Sequence, residues 1–189
     1  SPVYLDDILD IKQLSSSQWG NSMTIYTEEL PSLEGKKLAF LGVEEHAFKE
    51  DGKMMPANVV RRQLYQLYNW EAELGMLDLG NIKSGVSPTD THFAIRMVIT
   101  ALLRQNIIPI IVAHSHEFSY GQFTGHSHVQ QMINVVMFDQ KIDLFTPHKK
   151  EGDTSTFLYK MLTKQPHLSN FTHVGYQRYL VDPNMVDTL

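Results

Sequence analysis

The side chains best suited to chemistry gather at the ends of two short apolar runs. Ile107 to Ala113 is followed by His114, Ser115, His116 and Glu117, and Val135 to Phe138 is followed by Asp139, Lys141 and Asp143. Imidazoles and carboxylates ligate divalent ions and exchange protons near neutral pH. Residues two apart on an extended backbone share a side. His114 and His116 therefore form one pair, and Asp139, Lys141 and Asp143 form one face. These types allow a mononuclear metal centre built from His114, His116 and Asp139. They also allow a charge cluster in which the Lys141 ammonium neutralises Asp139 and Asp143 in place of a cation. His126 and His128 complete a group of four histidines and read as part of a solvated, glycine-containing turn, whereas His46 and His92 read as surface residues.

Other catalytic constellations find little support. With no cysteine in the chain, thiolate nucleophiles, thiolate zinc sites and disulfides are excluded. Ser115 and Ser119 sit in no Gly-x-Ser-x-Gly elbow, and the glycines of Gly80 to Gly85 (GNIKSG) have the wrong spacing for a phosphate-binding loop. A net charge of −5 with only paired basic residues, such as Lys36-Lys37 and Arg61-Arg62, argues against a nucleic-acid surface. No apolar run approaches the roughly 20 residues of a membrane span. The expectation is a cytoplasmic protein.

The elements that position these residues alternate between strand and helix. Strand patterns fall at Lys37 to Val43, Glu73 to Leu79, Ile107 to Ala113, Val135 to Phe138 and Phe171 to Tyr176. Helical spacing falls at Pro56 to Tyr68, with Arg61, Arg62 and Gln66 on its polar face, and at Pro88 to about Gln105 behind a Ser87 cap. A further helix is expected from about Phe118 to Gln131 and an amphipathic segment from Thr154 to Leu162. Residues 1 to 35 read as an acidic capping segment. At 189 residues with 42% hydrophobic composition, residues 1 to 189 suit one domain. Strict alternation predicts an α/β fold, a mainly parallel doubly wound sheet with helices on both faces. Ligands in such sheets bind beyond the carboxyl ends of the strands, where the polar residues above lie.

These stretches carry a family resemblance. IPIIVAHSHEFSYG resembles the ureohydrolase motif of arginases, agmatinases and formimidoylglutamases, an apolar strand after Pro that ends in Gly-Gly-Asp-His-Ser. VVMFDQKIDLF is similar to that family's strand ending in Asp-Ala-His-x-Asp, while PANVVRR and Asp78-Leu79-Gly80 resemble further family segments. The resemblance implies a three-layer αβα, arginase-like fold, incomplete at the carboxyl end. It also implies a dimanganese site whose bridging hydroxide attacks a guanidinium-like carbon. His116 falls on the first ligand histidine, Asp139 and Asp143 fall on ligand aspartates, and Lys141 stands where the family has a ligand histidine. The family's later Asp-x-Asp has no counterpart in the chain.

A resemblance with these losses implies a non-catalytic binding or structural module with a vestigial metal site, no residue assigned as catalytic and no cofactor. The alternative is an active manganese-dependent hydrolase of linear amidines or guanidino compounds with altered ligands, His114 among them. A sheet cut short in this way leaves an unpaired edge, so a homo-oligomer or a partner chain is expected to complete it.

Overall fold

The computed structural model describes residues 1–44, 55–71, 73–142, 144 and 157–183. Its strands are β1 (Thr24–Ile25), β2 (Leu38–Val43), β3 (Met76–Ile82), β4 (Ile108–Val112), β5 (Ile133–Phe138) and β6 (Leu168–Val174). Its helices are α1 (Trp19–Ser22), α2 (Pro56–Leu64), α3 (Pro88–Arg104), α4 (Ser119–His128) and α5 (Phe157–Lys164). These strands pair in parallel throughout, in a four-stranded sheet of order β1-β3-β2-β4 and a two-stranded sheet β5-β6. The alternation expected from sequence is therefore realised, with one addition: β1 lies inside the acidic amino-terminal segment and pairs with β3.

Local chemistry explains the boundaries. α3 starts at a reciprocal cap: Ser87 Oγ accepts from the Asp90 amide at 3.2 Å, and Asp90 Oδ2 accepts from the Ser87 amide at 2.9 Å. Pro88 stands at the first helical position. β3 begins at Met76 and continues to Ile82 rather than covering Glu73 to Leu79. Gly75 lies directly before it, where an added Cβ would come within 2.6 Å of the Gly35 carbonyl, so this crossing of two backbones accepts glycine alone.

Two faces of the four-stranded sheet pack differently. Ala39, Leu41, Val43 and Leu77 meet Ile95, Ile99 and Leu102 of α3, whereas Phe40 meets Ala57 and Tyr65 near α2 together with Val3, Ile8 and Met23 of the amino-terminal segment. α4 lies beside α3 in the same layer, because Gly121 and Gly125 admit Ile95 and Ile99 to its backbone. Phe123 of α4 then joins Phe157, Leu158 and Met161 beneath β5 and β6. Helices α3, α4 and α5 thus make one continuous layer. Opposite them, Ile108 and Ile110 of β4, paired with Leu38 and Phe40 on the α2 side, are 62% and 37% exposed. Val136 and Phe138 of β5, on the face turned away from the α4 and α5 core, are 56% and 76% exposed. Among the described residues the second helix layer covers β1 to β3 and reaches β4 at Val112, leaving Ile108, Ile110, Val136 and Phe138 bare.

Arg61 departs from expectation. Instead of covering a polar helix face it is fully buried, bonded to Asp78 by Nε at 2.7 Å and Nη2 at 2.8 Å. Its remaining donors reach Asn58 Oδ1, Asn81 Oδ1 and the Gly80 carbonyl. Asp78, in turn, accepts from Tyr65 Oη at 2.8 Å and the Gly80 amide at 2.9 Å. Every donor of the Arg61 guanidinium, and the Tyr65 hydroxyl, has an acceptor, which is the condition for burying such a charge. Burial and the Asp78 carboxylate hold the Tyr65 phenol far above its ordinary pKa.

Candidate functional site

β4 and β5 end on the same side, and the loops beyond them bring two of the expected residues together. After Val112 the chain passes through His114 and enters a single helical turn, His116–Phe118, where Ser115 Oγ accepts from the Glu117 amide. This turn places His116 Nδ1 3.2 Å from Asp139 Oδ2. The His116 side chain is 55% exposed and that of Asp139 is 18% exposed, so the pair sits at a half-open rim. It joins the loop after β4 to the end of β5, across the break between the two sheets.

The extended face expected for Asp139, Lys141 and Asp143 does not form as far as the described residues show. β5 stops at Phe138, and Asp139 Oδ1 accepts the Lys141 amide at 3.1 Å. An aspartate bonding the backbone two residues on starts a turn. The two-residue repeat is lost there. Lys141 is exposed, and among the described residues no ion pair joins it to Asp139. Asp143, like Glu45 and His46, lies outside the described residues.

The other histidines divide. His114 is exposed, with its ring edge-on to Phe118 at 5.8 Å, and it shares no metal-ligating cluster with His116 among the described residues. His126 and His128 lie within α4 rather than in a solvated turn, and His126 Nδ1 is 3.0 Å from Gln131 Oε1. His92, expected at the surface, is half-buried with Nε2 enclosed. Burial lowers its pKa, with Glu117 acting against that shift and Lys160 adding to it.

His173 of β6 escapes a reading of sequence alone, yet its Nε2 donates to the Asp139 carbonyl at 3.0 Å. It braces the end of β5 from the neighbouring strand. The only signal for it is a polar residue at the end of the last apolar strand.

Among the described residues, which leave out Asp143, no group of three or more His, Cys, Asp or Glu side chains could hold an ion. The two ligand positions that do converge are bonded to each other, and both Asp139 oxygens already accept from the chain itself.

A cleft of about 470 Å³ opens from this rim. Every residue of β5 from Ile133 to Phe138 lines one wall, Ser119, Gln122 and His126 of α4 contribute the floor, and His116 stands at one end. Consecutive strand residues can line a cleft only where the strand's backbone edge faces it, since side chains alternate between faces. The amides of Ile133 and Asp139 both donate toward β6, to the carbonyls of His167 and Val174. By the two-residue alternation, Asn134, Val136 and Phe138 direct their amides into the cleft.

No family profile matches the chain, and no curated protein matches it. Solved structures do. The formimidoylglutamase from Bacillus subtilis aligns with 100% of this chain at a TM-score of 0.69 and 16% identity. A formiminoglutamase from Trypanosoma cruzi, determined with Mn2+, covers 90% at a TM-score of 0.69 and 14% identity. A hypothetical agmatinase from Burkholderia thailandensis covers 92% at a TM-score of 0.66 and 16% identity. The chain has the arginase-like fold of these structures, and it spans 57% to 61% of their length.

Proposed function

We propose that this chain is a non-catalytic arginase-fold module whose function is binding, and that the free edge of β5 receives a strand from a second copy of the chain. The cleft along Ile133–Phe138 is the observation that carries this reading. An open parallel edge with inward amides and a firm helical floor is the arrangement used in strand addition. A second copy is a suitable donor because, among the described residues, β4 and β6 each present an unpaired edge of their own. The bare apolar face of Ile108, Ile110, Val136 and Phe138 adjoins these edges and gives association a hydrophobic component.

Amide exchange combined with sedimentation tests the proposal. In dilute protein the Asn134, Val136 and Phe138 amides should exchange quickly while those of Val135 and Met137 are protected. As concentration rises the first set should become protected, and Val136→Lys should abolish both the protection and the association. A chain that stays monomeric with these amides unprotected at high concentration would rule out the second copy.

The competing reading is an active hydrolase with altered ligands, favoured by the meeting of His116 and Asp139 at the carboxyl ends of the strands. Elemental analysis separates the two. Binding without catalysis goes with well under one manganese per chain, whereas a stoichiometric ion lost on Asp139→Ala would restore the hydrolase.

A further inference from the structure

A second cavity, of about 580 Å³, opens where α3, α4 and α5 meet. Residues from these helices and Gln165 line it, with no described strand residue among them. It is therefore separate from the strand-end rim.

Its charge is one-sided. Arg96 and Lys160 both line it, and no acidic side chain among the described residues does so, although the chain as a whole carries a net charge of −5. Neither cation has a carboxylate partner among the described residues. The Arg96 guanidinium lies over the Phe93 ring, 4.7 Å from its centroid, and Arg96 Nε is buried with no hydrogen-bond partner among the described residues. His92 Nε2 is likewise buried without one. Both of these nitrogens belong to side chains that line the cavity, and buried polar atoms without a partner call for a missing acceptor. Tyr120 Oη accepts from Gln165 Nε2 at 2.9 Å, which leaves its own proton free to donate.

We infer that this cavity is a binding site for a small organic phosphate, held by Arg96, Lys160 and Tyr120 against the Phe93 ring. A guanidinium offers parallel donors that match phosphate oxygens, and an ammonium adds a point charge. The volume is many times that of one ion, and Phe93, 54% exposed, offers the bound molecule an apolar surface beside the charge. His92 Nε2 supplies a further donor when its proton sits on that nitrogen. Glu117 and Lys160 are the charges acting on His92, and the Tyr120 ring lies edge-on to it at 5.8 Å; a bound phosphate adds negative charge and raises the His92 pKa.

Phenyl phosphate is the probe, with inorganic phosphate, phenol and citrate as controls, measured by calorimetry and by the His92 ring resonances. Phenyl phosphate should bind more tightly than inorganic phosphate, be competed off by it, and move the His92 titration to higher pH. Arg96→Gln and Lys160→Gln should each weaken it at least about tenfold, the scale of one charge-assisted hydrogen bond, and salt should weaken it further. Because the His92 titration is read on the unaltered chain, a variant that folds poorly does not blunt the test. No movement of His92 at roughly millimolar phenyl phosphate, binding by phenol or citrate as tight as by phenyl phosphate, or well-folded variants of unchanged affinity would each overturn the assignment.

Discussion

Replacing Asp78 with alanine leaves the Arg61 guanidinium fully buried with only neutral acceptors. The carboxylate receives two bonds from Arg61 and one each from Tyr65 and the Gly80 amide, all between 2.7 and 2.9 Å. Removing one partner of a buried ion pair costs about 3–5 kcal/mol. Asn58, Asn81 and the Gly80 carbonyl still face the guanidinium, which limits the loss; the orphaned Tyr65 hydroxyl and Gly80 amide add to it. A value near 4 kcal/mol is a large part of the ~5–15 kcal/mol total of a typical domain. Urea unfolding monitored by circular dichroism should show the midpoint falling by about 2 M for a slope near 2 kcal/mol/M. Arg61→Met combined with Asp78→Leu removes both charges, so the double variant should be more stable than Asp78→Ala alone. A loss below about 1 kcal/mol for Asp78→Ala, the size of a surface pair, would refute the claim that this pair is uncompensated when broken. So would a double variant as unstable as the sum of the single changes.

The packing sets three further outcomes. Gly125→Ala gains up to about 1 kcal/mol of helix propensity, but the new Cβ would lie 2.6 Å from Ile99 Cγ2 and 2.7 Å from its Cβ. The rigid β-branched neighbour should win, and the variant should lose roughly 1–3 kcal/mol in the same urea assay. Ser87→Ala breaks the reciprocal cap of α3 and should lower stability by about 1 kcal/mol, with Ser87→Asp keeping most of it. Because the folded pKa of His92 is depressed, the unfolded chain binds the extra proton first. Its contribution to stability is thus fully present above the ordinary histidine pKa and is lost as pH falls through that value toward the folded one. His92→Phe should flatten this part of the acid side of the stability profile.

The alternation of elements is legible in sequence because each depends on a local pattern. β-branched runs mark β4 and β5, and Ser87, Pro88 and Asp90 mark the start of α3 within the chain that forms it. Arg61 is misplaced by sequence because its partner, Asp78, lies on another element, and periodicity alone assigns a charge to solvent. The same distance hides the true end of β3, at Ile82 rather than Leu79: the Gly80 carbonyl and Asn81 Oδ1 are acceptors for Arg61, whereas sequence alone reads a glycine followed by an asparagine as a turn. At the candidate site, His116 and Asp139 are found by type and position. Lys141 enters the cluster only if β5 runs on, whereas the Asp139 side chain captures the Lys141 amide and turns the chain. His92 reads as a surface residue and Arg96 escapes notice because a helical face shows its spacing in sequence but not the helices that close over it.

The two bare surfaces of the chain have one origin. α3, α4 and α5 lie on a single side, so β4 and β5 are supported from that side and open on the other. The pair His116 and Asp139 spans the break between the sheets at one end, while among the described residues the backbones of β4 and β5 do not pair along it. Covering Ile108, Ile110, Val136 and Phe138 without filling the β5 edge would leave the Asn134, Val136 and Phe138 amides in a cleft losing its water, at about 1–3 kcal/mol for each donor left unbonded. Filling the edge without covering the face would leave large apolar side chains wet. An added strand that brings its own apolar side chains answers both requirements together, which is why a strand, rather than a helix or a small molecule, is the occupant this edge selects.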